Sequence, residues 1–349
     1  MTQTEKALFA LLHKSIDPDW ECNPTIFTNV DWNDVFLLSK VNSVSFIAFD
    51  ALVCIPEEYR PEKEITTQWY GELAFQELEY ERKWSIACKL ARLWAKENIS
   101  ATIIKGRSIA QFYPIPSHRY SCDLDVFIED GWDKACSMLQ NKGIKLEYEV
   151  YKEVEFWING VYVECHRYIT PVRGNKNMYN FELYLRSLLD SEKKTCFDGS
   201  SLIKPPALFT VLLCIEHALT DFLNGELSLK HIVDWMVLRK QNVDWKLFNN
   251  KCDEFKFNRF VDLFNSMADV IEGKVEYDKL PKNYKKAFDE IMQDNHKSKG
   301  EQSWFERRVD QFFAILNSHE KFANFGYRTM TVHLYQMMWA HFFNKEVKI

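Results

Sequence analysis

Asp123-Leu124-Asp125-Val126-Phe127-Ile128 is the stretch on which the reading of this chain turns. Side chains alternate across a strand, so carboxylates at i and i+2 share one face, and the apolar run behind them marks a buried strand. That face is strongly acidic. Two ionised carboxylates side by side repel each other unless protons or cations relieve them, and oxygen ligands of this kind suit Mg²⁺ or Mn²⁺. The pair therefore reads as a metal platform, for which phosphate chemistry is the natural use.

Working outward, Ala101, Ile103 and Ile104 predict a short buried strand ending at Lys105-Gly106, then a helix from Arg107 to Phe112 that Pro114 and Pro116 stop. Downstream, an amphipathic helix from Trp132 to Lys142 ends at Gly143. Alternating segments follow at Lys145 to Tyr151, Val154 to Ile158 and Val161 to Ile169, with Asn159-Gly160 signalling a tight hairpin between the last two. On the last segment Glu164 falls with Tyr162 and His166 on one face, and Val161, Val163 and Cys165 fall on the other. Glu164 is the expected third carboxylate, with Glu155 and Glu153 competing for the role.

The flanks read as helical. A pattern at steps of three and four runs from Pro61 to Asn98, preceded by shorter helices at Glu5 to Lys14 and from Asp31, a plausible N-cap, through Val41. After Pro171 the pattern is helical again: Pro205-Pro206 opens an apolar helix to Phe222, and others cover Asp244–Phe255, Phe260–Val270, Tyr284–Met292, Phe305–Leu316 and Val332–Phe343. The expectation is an α+β fold. A small mixed β-sheet core over residues 99–172 sits between an N-terminal helical region (1–98) and a C-terminal helical domain (173–349).

Composition limits the function classes. A chain of 349 residues with 46% hydrophobic content buries a sizeable core, and a formal charge of −6 disfavours nucleic acid as a partner. The nine cysteines form no C-x-x-C pair and lie mostly in apolar stretches, which suits reduced thiols and a cytoplasmic location. Residues 1–15 lack the pattern of a signal peptide, and the apolar runs fall short of the roughly 20 residues of a spanning helix, so no membrane partner is expected.

In order, Ile103-Ile104-Lys105-Gly106-Arg107-Ser108, Tyr113-Pro114-Ile115-Pro116, Arg119, the Asp-x-Asp strand and Val163-Glu164-Cys165-His166 resemble the polymerase-beta-type nucleotidyltransferase superfamily. More narrowly, they resemble a bacterial family of uncharacterised nucleotidyltransferases with a Lys-Gly, Tyr-Pro-x-Pro, Arg, Asp-x-Asp signature. The resemblance implies an NTP co-substrate, ATP first among them, and a divalent ion, Mg²⁺ or Mn²⁺, held by Asp123, Asp125 and Glu164. Each part has a physical reason. Gly106 lets the backbone approach a phosphate at a helix start, Ser108 adds a donor, and Lys105, Arg107 and Arg119 are placed to neutralise a triphosphate. Arg107 departs from the superfamily, which has a small residue after the motif glycine. If its side chain points away, Ser108 is left to make the phosphate contact.

The acceptor stays open between a small molecule, a sugar hydroxyl and a side chain of a partner protein. Two other readings compete: a catalytically silent nucleotide-binding or scaffold protein, and a protein-modifying (AMPylating), antitoxin-like enzyme. His166 and Lys230 are further candidates for substrate contact, although a solvated helix face accounts for Lys230 and His231 equally well. His217 reads as a satisfied core histidine, and His333 and His341 as structural.

Overall fold

A capping box starts the first helix: Thr2 Oγ1 accepts the Glu5 N–H at 3.2 Å while Glu5 Oε2 accepts the Thr2 N–H at 2.7 Å. The structure, a computed structural model, describes residues 1–149, 151–172, 175–191, 194–292, 312–313, 315–316 and 318–335. Helix α1 (Gln3–Ile16) is followed by α2 (Trp32–Val41), capped by Asp31 as its sequence requires, by α3 (Ser45–Asp50) and by the 33-residue α4 (Lys63–Ala95). Pro61 stands just outside α4, before the N-cap Glu62.

The sheet region runs β1 (Ala101–Ile103), α5 (Arg107–Ala110), β2 (Leu124–Ile128), α6 (Trp132–Asn141), β3 (Tyr148–Glu149), β4 (Glu153–Ile158) and β5 (Val161–His166). The expected helix from Arg107 to Phe112 is shorter, a single turn to Ala110. Asn159 and Gly160 both take positive φ (49° and 74°), which gives the tight turn that joins β4 to β5.

Beyond α7 (Lys176–Ser191), the stretch read as wholly helical contributes β6 (Thr195–Cys196) and β7 (Ile203–Lys204), and β7 pairs parallel to β1. Two-residue strands leave no period to read, so only their partners define them. Among the described residues the sheet has seven strands, in the order β3-β4-β5-β2-β1-β7-β6. The chain continues through α8 (Ala207–Asn224), α9 (Leu229–Leu238), α10 (Trp245–Phe255), α11 (Asn258–Ile271), α12 (Lys282–Met292) and α13 (His319–Phe325). The helices expected over Phe305–Leu316 and Val332–Phe343 fall largely outside the described residues, as does His341.

Alternation decides what each sheet face meets. Val126 and Ile128 of β2, with Ile103, Val154, Phe156, Val163 and Cys165, pack on Ile86, Leu90 and Trp94 of α4 and on Leu139 of α6. Phe127 points the other way, into a second core built from α1, α2 and the helices α7–α12. Asp125 is two residues from Phe127 and on the same face, so it is aimed at α8 and α9. By length and composition α8 could cross a membrane, but 67% of that window is buried inside the fold. It carries Glu216, His217 and Asp221.

Candidate active site

The site lies where the carboxylate face of β2 and β5 meets α8 and α9. In this parallel pair Asp125 is in register with Glu164, which places two acids side by side on neighbouring strands. Asp123 precedes β2 and lines the same cleft, its Oδ1 accepting from Ser121 Oγ at 3.2 Å. The cleft encloses about 170 Å³, with Lys105, Gly106, Arg119, Asp123, Asp125 and Glu164 on the sheet side and Thr210, Leu213, His217, Lys230 and His231 on the helical side. Glu153 and Glu155 do not line it. Glu155 accepts from Tyr162 Oη, and Glu153 pairs with Lys152 at 2.9 Å.

Asp125 is almost wholly buried. Lys105 Nζ lies 3.1 Å and His166 Nε2 3.0 Å from its Oδ1, and the other ring nitrogen of His166 lies 2.9 Å from Glu153 Oε2. Burial by itself would raise the Asp125 pKa, but Lys105 and His166 hold it well below the usual carboxylate range. Glu164 behaves oppositely. Burial, then repulsion from Asp125 and Asp123, push it up to about 7 despite Lys105. For Lys105, burial is outweighed by Asp125, Glu164 and Asp123, so its ammonium stays charged.

A buried carboxylate crowded by two others is a group a divalent cation would relieve. The donors fit such an ion: Asp125, Glu164 and His166 each offer a ligand atom, all within 4.8 Å of one another. His166, expected as a substrate contact, is fully buried behind the carboxylates, so it orients them or supplies a nitrogen ligand.

The basic residues separate into two groups. Lys105 and Lys230 line the cleft, and among the described residues Lys230 makes no ion pair. Arg119 also borders it, but its Nε and Nη2 grip Asp234 at 2.6 and 2.7 Å while Nη1 donates to the Gly106 carbonyl at 3.4 Å. Tyr113 Oη donates to the same Asp234 at 2.6 Å. The Tyr-Pro-x-Pro loop and Arg119 thus clamp α9 against the strand that carries the acids. Arg107 does not line this cleft, its guanidinium lying over the rings of Tyr80 and Trp84 at 4.6 and 4.0 Å, and Ser108 is fully buried. Gly106 has φ +55°, the left-handed region that favours glycine, where the chain leaves β1 for α5.

Four residues here escape a linear reading. Asp234, Lys83, Asp221 and His217 lie far from the motifs in sequence. Lys83 of α4 donates to the Ser121 carbonyl, and its charge acts on Asp123. His217, expected in the core, is half-buried and lines the cleft. Only its place one turn before Asp221, on an otherwise apolar helix, hinted at a polar face.

Residues 28–271 match the model of a family described as an uncharacterised nucleotidyltransferase. No curated relative and no solved structure matches the chain.

Proposed function

Because this chain belongs to the uncharacterised nucleotidyltransferase family, we propose that it transfers a nucleoside monophosphate from an NTP, with ATP the first candidate, to a hydroxyl acceptor and releases pyrophosphate. The observation that carries the reading is the register of Asp125 with Glu164, with Asp123 two residues upstream and Lys105 at 3.1 Å, all facing one cleft. Asp123, Asp125 and Glu164 would hold Mg²⁺ or Mn²⁺. When bound, such ions neutralise the triphosphate and lower the pKa of an attacking hydroxyl.

The chain's own side chains position charge. Lys105 offsets the carboxylates when the cleft is empty and is free to turn to phosphate oxygens when they are otherwise neutralised, with Lys230 facing it from α9. Gly106 gives the phosphates close access to backbone. Arg119 acts through Asp234 by holding α9 in place, so its contribution to nucleotide contact is indirect. A cytoplasmic location belongs to the same proposal, supported by nine free cysteines. A silent nucleotide-binding protein would not need three acids converging on one cleft.

Incubation with Mg²⁺ and each labelled NTP tests this. Pyrophosphate release that disappears in Asp123→Asn supports transfer, whereas tight nucleotide binding without product would replace it with a binding module.

A further inference from the structure

The cleft has a second charged wall. His217 and Asp221 stand one turn apart on α8 and share a face, and His231 of α9 meets them there. Asp221 Oδ2 lies 3.0 Å from His231 Nε2 and 3.5 Å from His217 Nε2, and the two rings cross at 73° with centroids 5.9 Å apart. The transfer chemistry above uses none of the three, yet both histidines border the cleft that holds the acids.

Two chemistries fit this trio. Its ligand atoms lie within 4.8 Å of one another, as a transition-metal ion requires, or the three groups form a hydrogen-bonded relay. The start of α9 decides between them. His231 closes a capping box in which its Nδ1 accepts the backbone N–H of Ser228 at 3.2 Å. An accepting Nδ1 is unprotonated, so the neutral ring carries its proton on Nε2, facing Asp221. A protonated Nε2 has no lone pair for a metal. Metal binding there would require the opposite tautomer and would cost α9 this cap.

Asp221 is held down to about 2: burial opposes ionisation, but His217 and His231 outweigh it. The anion therefore favours a proton on Nε2 of His217 as well. Nδ1 of His217 is left as the basic atom. Among the described residues it has no hydrogen-bond partner, and the side chain is 38% exposed.

We infer that His217 is a catalytic residue that takes the proton of the acceptor hydroxyl on Nδ1, with Asp221 and His231 as positioning residues. This rests on the nucleotidyl-transfer reading and leaves Glu164 to ligand duty. The acceptor O–H bond breaks, and the oxygen's electron pair forms the bond to the α-phosphorus. The bond to the bridging oxygen breaks, and its pair leaves with pyrophosphate. The proton on Nδ1 makes an imidazolium that Asp221 stabilises through Nε2–H. Desolvation in the cleft lowers the His217 pKa against the pull of Asp221, and Lys105 adds to the lowering, so the ring is neutral but only weakly basic while Lys105 is uncompensated. A triphosphate arriving beside Lys105 would cancel that repulsion and raise the ring's basicity.

The test uses the full chain with ATP and Mg²⁺, water serving as the acceptor probe, and reads pyrophosphate. His217→Gln is expected to lower kcat by about 10²-fold or more with little change in KM for ATP, and Asp221→Asn to lower it by a smaller factor. Nitrogen-15 spectra of the rings are expected to place the proton on Nε2 of both histidines. An unchanged kcat in His217→Gln, beside an inactive Asp123→Asn, overturns the relay and leaves nucleotidyl transfer standing. Stoichiometric Zn²⁺ binding lost in Asp221→Asn but kept in Asp125→Asn also overturns it, in favour of a metal site. If no NTP is turned over by the wild type, the transfer reading fails and takes the base role with it. The ring tautomers then still decide whether the relay exists.

Discussion

The two walls of the cleft hold titratable groups in opposite ways. On the sheet wall three acids face one lysine and one histidine, and burial together with that imbalance pushes Glu164 up to about 7. On the helical wall Asp221 sits between two imidazoles and is held down to about 2. An under-compensated wall calls for a cation from outside. A carboxylate matched by its own neighbours, as Asp221 is, keeps the protons where its hydrogen bonds put them. The same cleft can thus separate the binding of charge from the handling of a proton.

The largest expected break in this comparison is Asp125→Asn. It removes the central sheet-wall acid and leaves Lys105 without its partner, so pyrophosphate release should fall by more than the roughly 10–100-fold typical of outer-shell partners. Circular dichroism separates that loss from unfolding. Next comes the clamp that keeps the walls at their spacing. Asp234→Asn leaves a buried arginine uncompensated, and a loss of about 3–5 kcal/mol is expected in chemical denaturation.

A third prediction concerns the sign of the pH dependence. Glu164 is raised from 4.5 to about 7, so across that window the folded state binds more protons than the unfolded one. In metal-free buffer its contribution therefore makes stability fall as pH rises from about 4.5 toward 7, and Glu164→Gln should flatten that slope. Asp221 has the opposite sign. Its folded pKa lies below its usual 3.8, so its contribution is present above that value and is lost as pH falls toward about 2. Equal slopes in Glu164→Gln and wild type would erase the contrast between the walls. The smallest effect belongs to Gly106→Ala. A Cβ there would sit 3.4 Å from Ser121 Oγ, an ordinary contact, so the cost is the backbone conformation (φ +55°, ψ −104°), about 1–3 kcal/mol by thermal unfolding.

Local pattern made much of this legible. The Asp-x-Asp strand, the Asn159-Gly160 turn and the placement of Glu164 on the polar face of β5 all follow from period-2 alternation and turn chemistry. Partner choice did not follow. Arg119, read as a phosphate ligand by its order in the motif, spends its guanidinium on Asp234, 115 residues away. Arg107 lies over Tyr80 and Trp84 because α4 passes beside it. His217 looked like a core histidine on an apolar helix, and only the approach of α9 and the sheet made its position a cleft.

From the sequence by itself came the strand that begins directly after Asp123 and carries Asp125, the acid on the neighbouring strand, the helical flanks and the α+β class, because alternation and helical period are fixed by covalent geometry within a few residues. Tertiary structure alone decided which charges meet: Asp125 with Lys105 and His166, Arg119 with Asp234, and Asp221 with two histidines across the cleft. Those pairings join residues far apart in the chain, and they form only when packing removes the water that would otherwise keep such charges apart.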